Sequence, residues 1–138
     1  MSTSLEEYQV DHLFLLIGKN PLPNYVAAKT LLREGGIPYL VHTRDTLTSA
    51  QRLWEMLRDD VPELESDPLI SLDDQESDAH YIKTKIEQQV GQIEKNEQVG
   101  LNYTGGTKAM SVHAYRALFK ARPDAIFSYL DPRNWKCV

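Results

Sequence analysis

The chain has 138 residues, 41% hydrophobic and 25% charged, and a net charge of −5 from fifteen basic and twenty acidic residues. That balance fits one globular domain over residues 1–138 with its own core, and it excludes a disordered chain. An acidic excess also excludes a long DNA or RNA track, which needs a basic face to release counterions; a small local anion site stays open.

The first seven residues lack both the positive and the apolar region of a signal peptide. Residues 12–17 follow as the first β-type run, and their unbroken apolar stretch 13–17 suits a strand covered on both faces. At about a quarter of a bilayer span, that stretch is also the longest apolar run, so a cytoplasmic protein without membrane contact is expected. A helix is predicted over 24–34, ended by a left-handed cap at Gly35-Gly36, and a second strand over 38–42. Thr48-Ser-Ala-Gln51 reads as a capping box opening the next helix, through Leu53, Trp54 and Leu57. A third strand, 69–72, precedes a helix capped by Ser77 and carrying Ile82, Ile86, Val90 and Ile93. The fourth strand is 99–103, the last helix runs from about 107 to 121, and the fifth strand is 125–130. The lone cysteine, Cys137, rules out an intrachain disulfide framework and a Cys-based zinc site.

Strand–helix alternation with short links implies βαβ crossovers. The fold class is therefore α/β: a Rossmann-like, doubly wound, mainly parallel sheet of about five strands with helices on both faces. If the strand order is 3-2-1-4-5, ligands bind beyond the carboxyl ends of strands one and four, where the order reverses.

The loops after those strands are the most unusual in the chain. After strand one comes Gly18-Lys-Asn-Pro-Leu-Pro-Asn24. Gly18 permits close backbone approach, the prolines fix the path, and Lys19, Asn20 and Asn24 offer donors. The plainer reading is a rigid loop whose Asn24 caps a helix. After strand four comes Asn102-Tyr-Thr-Gly-Gly-Thr-Lys108. Gly105 and Gly106 let backbone N–H groups converge, Thr104 and Thr107 add hydroxyls, and Lys108 adds charge at a helix N-terminus. These are the ingredients of a phosphate site, although a simple turn capped by a Thr needs only one of them. The segment is neither a Walker A loop nor a GxGxxG fingerprint. After strand two, Arg44 can reach a phosphate or base, and Thr43 or Thr46 can donate; an Arg44–Asp45 surface pair or plain helix capping is the alternative.

Three broader features complete the reading. The last helix has an apolar arc of roughly 220°, wider than one sheet face needs. Either the same helix of a twofold-related copy or the acidic loop covers the excess. That loop, residues 59–78, holds nine acidic and no basic residues and reads as a solvated flank; the rest of the chain carries +4. His12, His42, His80 and His113 show no metal-ligand spacing, Asp73-Asp74 reads as chance clustering, and no catalytic constellation stands out. No metal and no cofactor is expected.

Taken together, the 18–24 loop, His42-Thr43 and Leu101-Asn-Tyr-Thr-Gly-Gly-Thr-Lys-Ala-Met110 resemble the CARF family, the CRISPR-associated Rossmann fold. The similarity is to the N-terminal sensor domain of CARF nucleases of the Card and Can type. The resemblance implies a homodimeric sensor of cyclic oligoadenylates, with cyclic tetra-adenylate the leading ligand, in type III CRISPR antiviral signalling. It implies a ring lying across the twofold axis, and the apolar arc makes helix 107–121 the expected pairing element. By position, the ligand loops would comprise Gly18, Lys19, Asn20, Pro21, Leu22 and Asn24; Thr43, Arg44 and Thr46; and Asn102 through Lys108 with Met110. Tyr103 and Thr104 belong to that last set. Gly105, Gly106, Thr107 and Lys108 would hold phosphates, with Asn20 and Asn102 meeting base or ribose. Such proteins usually continue into an effector, so this chain is expected to be a free-standing sensor or the sensor part of a longer effector. The alternative is a ring nuclease that cleaves the ligand without metal, by 2′-hydroxyl attack on the adjacent phosphate.

Overall fold

An uninterrupted apolar stretch cannot lie at an edge of a sheet without exposing one face, and residues 13–17 accordingly run through its middle. The computed structural model describes residues 7–62, 64, 67–75, 77–131 and 136–137. Strand β1 (Val10–Leu16) leads to helix α1 (Leu22–Leu31), β2 (Leu32–His42) and α2 (Leu47–Leu57), which tightens into a 3-10 turn (Arg58–Asp60). Strand β3 (Leu69–Ser71), α3 (Ala79–Val90), β4 (Val99–Asn102), α4 (Lys108–Ala121) and β5 (Ile126–Ser128) follow. These five strands are all parallel in the order β3-β2-β1-β4-β5, the Rossmann-like arrangement expected from the alternation. An unexpected antiparallel pair, β6 (Leu130–Asp131) with β7 (Lys136–Cys137), forms a separate ribbon.

β1 feeds two cores by alternating its side chains. Leu13, Leu15 and Ile17 pack with Ala27 and Leu31 of α1 and Leu53 and Leu57 of α2. Phe14 and Leu16 pack with Ile82 and Ile86 of α3 and Met110, Ala114 and Leu118 of α4. Each fully buried Leu or Phe contributes about 1.5–3 kcal/mol, so this one strand anchors both layers. His12, on the same strand, is a satisfied buried histidine. Its Nδ1 lies 2.9 Å from the Tyr39 hydroxyl and its Nε2 lies 3.1 Å from Glu97 Oε1.

Several local expectations are corrected. Helix α1 begins earlier, at Leu22, and stops at Leu31 rather than at Gly35. Leu32 is captured by β1 through pairing with Val10; the chain then detours before pairing resumes at His12 and Ile37. Gly35, with φ +78, turns that detour instead of capping the helix. The capping box at 48–51 does not form, because α2 already starts at Leu47. In α3 the cap is Asp78, not Ser77: its carboxylate accepts from Tyr81 N–H at 3.0 Å, where charge also complements the helix dipole.

The wide apolar arc of α4 is only partly used. Met110, Ala114, Ala117 and Leu118 are buried, whereas Val112, Tyr115 and Phe119 are 50%, 44% and 50% exposed. Among the described residues of the acidic segment none is packed over this strip; its Glu63, Glu65 and Glu76 lie outside the described residues. Among the described residues, no helix is long and apolar enough to cross a membrane.

Candidate functional site

Because β2 and β4 flank β1 on opposite sides, the crossovers leave β1 in opposite directions and open a crevice at its carboxyl end. Three loops, after β1, β2 and β4, border that crevice.

The first loop is held by a side chain from within α1. Asn24 is fully buried; its Nδ2 donates to the Leu16 carbonyl at 2.9 Å and its Oδ1 accepts from Gly18 N–H at 3.4 Å. Asn20 Oδ1 accepts from Leu22 N–H at 3.1 Å, an Asx turn that starts the helix behind Pro21. The Lys19 carbonyl accepts from Ser49 Oγ at 2.6 Å, which pins the backbone and leaves the Lys19 side chain exposed.

The glycine loop lies directly against this one. A Cβ on Gly105 would overlap the Leu16 carbonyl oxygen and sit 2.6 Å from Gly18 N and 3.2 Å from Asn24 Oδ1. Gly106 has φ +82, the left-handed region that side chains avoid. Asn102, also fully buried, donates from Nδ2 to Ser128 Oγ at 3.1 Å and accepts Thr104 N–H at 3.2 Å. Thr107 caps α4, the role that the plainer reading of this loop gives a Thr, its Oγ1 accepting from Met110 N–H at 3.2 Å. Lys108 opens the helix and is exposed.

In the third loop Thr46 Oγ1 accepts from Thr43 N–H at 2.9 Å, and the two hydroxyls lie 3.3 Å apart. This occupies the hydroxyl that would otherwise cap α2. Below it, His42 Nδ1 lies 2.9 Å from the Thr43 carbonyl, and all three residues are buried.

The three loops enclose a cavity of about 260 Å³. Ile17, Gly18 and Lys19 line it from the first loop, Thr43, Asp45 and Thr46 from the second, and Gly106, Thr107 and Met110 from the third. Seven of these nine were expected; Ile17 and Asp45 were not. Asp45 was read only as a surface partner of Arg44, although its place just past the second strand is a recognisable signal. Arg44 instead pairs with Asp74 at 3.3 Å, both largely exposed, and stays out of the cavity lining. Asn24 and Asn102, expected to face a ligand, lie behind the loops with their amides committed to protein partners. Asn20, Pro21, Leu22, Thr104, Gly105 and Lys108 surround the cavity without lining it. Tyr103 borders a second, apolar hollow of about 300 Å³ with Ser111, Val112, Tyr115 and Arg116 on the flank of α4.

The acidic candidates for metal binding are otherwise engaged. Asp73 accepts from Ser71 Oγ and Tyr81 OH, each at 3.1 Å, and these hydrogen bonds hold its carboxyl below the usual range. Among the described residues, no group of His, Cys, Asp or Glu is arranged to hold a metal ion. A larger hollow of about 900 Å³, by Trp54, Arg58 and Leu69, lies at the start of β3, away from the carboxyl edge.

With this geometry in view, comparison with known proteins is informative. The model of the Card1 CARF domain family matches residues 13–137. Can2 from Sulfobacillus thermosulfidooxidans, solved in complex with cyclic tetra-adenylate, superposes with a TM-score of 0.66 at 17% identity, over 100% of this chain. Protein VC1899 from Vibrio cholerae superposes with a TM-score of 0.65 at 16% identity, over 88% of this chain. The chain spans only 38% and 30% of those two proteins. At such identities the likeness shows the shared fold. No curated protein sequence matches significantly.

Proposed function

The chain belongs to the Card1 CARF domain family, and from that premise we propose that it senses a cyclic oligoadenylate in type III CRISPR signalling. Cyclic tetra-adenylate is the ligand, bound across a homodimer to control an effector. The observation that carries this reading is the convergence of three strand-end loops on one cavity beside the N-terminus of α4. Backbone N–H groups around Gly106 and the helix dipole favour a phosphate there, and Lys19 and Lys108 make no ion pair among the described residues. Two isolated lysines on an acidic chain suit a compact polyanion better than a long one.

A cavity of about 260 Å³ is small even for one drug-sized ligand. One copy therefore offers a part-site, and a four-nucleotide ring with internal twofold symmetry needs two. The exposed strip of Val112, Tyr115 and Phe119 supports pairing through α4.

Titration calorimetry with cyclic tri-, tetra- and hexa-adenylate tests the proposal. The expected result is micromolar or tighter binding of the tetra-adenylate, with one ring per two chains. Absence of heat with all three rings overturns it. Recovery of an intact ring from the cell afterwards separates a sensor from a ring nuclease.

A further inference from the structure

Asp45 is the odd member of a cavity otherwise suited to anions. Its carboxylate is exposed, and among the described residues it makes no hydrogen bond or ion pair. Its neighbours in the same loop are committed elsewhere, and Lys19, which lines the same cavity, makes no ion pair with it among the described residues. Arg44 pairs with Asp74, and the Thr43 and Thr46 hydroxyls bond each other. A carboxylate facing a phosphate would repel it, so Asp45 must meet a donor on the ligand.

The fold says which donor. In the dinucleotide-binding form of this sheet a phosphate lies at the loop after the first strand, and the attached sugar extends over the end of the second; this chain lacks that glycine fingerprint but packs its glycine loop against the same first loop. An acidic residue just past that second strand is then placed to accept from a ribose hydroxyl. Here the first loop and Gly106-Thr107 form one wall of the cavity, and Asp45, three residues beyond the end of β2, lies on another. In a 3′,5′-linked ring the 2′-hydroxyl is the only free sugar hydroxyl.

We propose that Asp45 accepts a hydrogen bond from a ligand 2′-hydroxyl and makes the site selective for ribose over sugars that cannot donate. This rests on the ligand reading above and adds the residue that chooses the sugar. It also accounts for an acid in an anion site. The carboxylate weakens binding of any phosphate whose sugar offers it no donor, so selectivity comes from a penalty as well as a bond.

The test compares cyclic tetra-adenylate with its all-2′-fluoro analogue, which keeps a ribose-like pucker but donates no hydrogen bond. Wild-type protein should bind the ribose ring about tenfold or more tightly than the fluoro ring, as expected for a bond to a charged acceptor. Asp45→Ala should bind the two rings within about twofold of each other, because neither bond nor penalty remains. Asp45→Asn, which keeps an acceptor oxygen, should restore part of the preference. An Asp45→Ala protein that still discriminates as wild type does overturns the assignment, as does a wild type that binds both rings equally; either result leaves ring binding itself intact. A wild type that binds neither ring overturns both readings. Asp45 has no hydrogen-bond or ion-pair partner among the described residues, so unchanged thermal unfolding of the variants verifies that the fold is not at issue.

Discussion

Substituting Gly105 by alanine should separate the two loops that form the cavity wall. The added Cβ would overlap the Leu16 carbonyl oxygen and sit 2.6 Å from Gly18 N, both backbone atoms that no rotamer change can move aside. Relief requires the first loop and the glycine loop to part, and the buried Asn24 amide that bonds Leu16 and Gly18 moves with them. Overpacking of this kind costs about 1–3 kcal/mol. Weakening one or two of the Asn24 hydrogen bonds adds about 1 kcal/mol. The lower unfolded-state entropy of alanine returns roughly 0.4–1 kcal/mol, leaving a net loss of about 1–3.5 kcal/mol. With a urea slope of about 1–3 kcal/mol per molar, the unfolding midpoint should fall by about 1 M at mid-range values and by no less than about 0.3 M. Gly18→Ala is the control. Its Cβ would meet Gly105 Cα at 3.5 Å and Gly106 N at 3.6 Å, ordinary contacts. It should stay within about 0.5 kcal/mol of wild type. Urea unfolding followed by circular dichroism measures both. If Gly105→Ala loses no more than Gly18→Ala, the claim that these loops are locked by backbone contact is refuted.

Asn24→Leu keeps the branched shape and heavy-atom count but strands the Leu16 carbonyl and Gly18 N–H, and the same assay should register a loss of about 2–4 kcal/mol. Burial, aided by the Glu97 charge, pushes the Tyr39 phenol up to about 12 from an ordinary 10.0. A raised value means that the folded state holds its proton longer. The contribution is complete below pH 10 and is lost as pH rises through about 12; allowing for partial exposure, it amounts to about 1–2 kcal/mol. Urea midpoints across that range should therefore fall less steeply for Tyr39→Phe, and identical slopes would contradict the assignment. Wild type should sediment as a dimer, and Phe119→Glu, which places a charge in the exposed apolar strip, as a monomer; a monomeric wild type would overturn pairing through α4. Lys108→Ala should weaken cyclic tetra-adenylate binding about tenfold or more in calorimetry; an unchanged affinity would remove Lys108 from the site.

The sequence alone was enough for the parts of this protein that depend on local pattern. An unbroken apolar run marked β1 as covered on both faces and strand–helix alternation dictated a parallel sheet, whereas the order β3-β2-β1-β4-β5 entered only as a condition that the structure meets. The same pattern pointed to the loops after β1, β2 and β4, because ligand position in such a sheet follows from topology. It also exposed the surplus apolar width of α4, since helical periodicity is a property of one segment.

What only the tertiary structure decided is which side chain in each loop meets the cavity and which holds the loop in place. Asn24 and Asn102 look like ligand donors when read singly, but Leu16, Gly18, Thr104 and Ser128 claim their amides. Arg44 lies next to Asp45 in sequence yet pairs with Asp74, thirty residues away, and this leaves the Asp45 carboxylate free to face the cavity. The ends of α1 and α2 moved for a similar reason, as Leu32 was drawn into pairing with Val10 and Thr46 turned its hydroxyl toward Thr43. Periodicity and capping preferences act over a few residues. A polar group inside a folded protein, by contrast, takes the best partner that three-dimensional packing brings to it, and that partner is set by the whole chain.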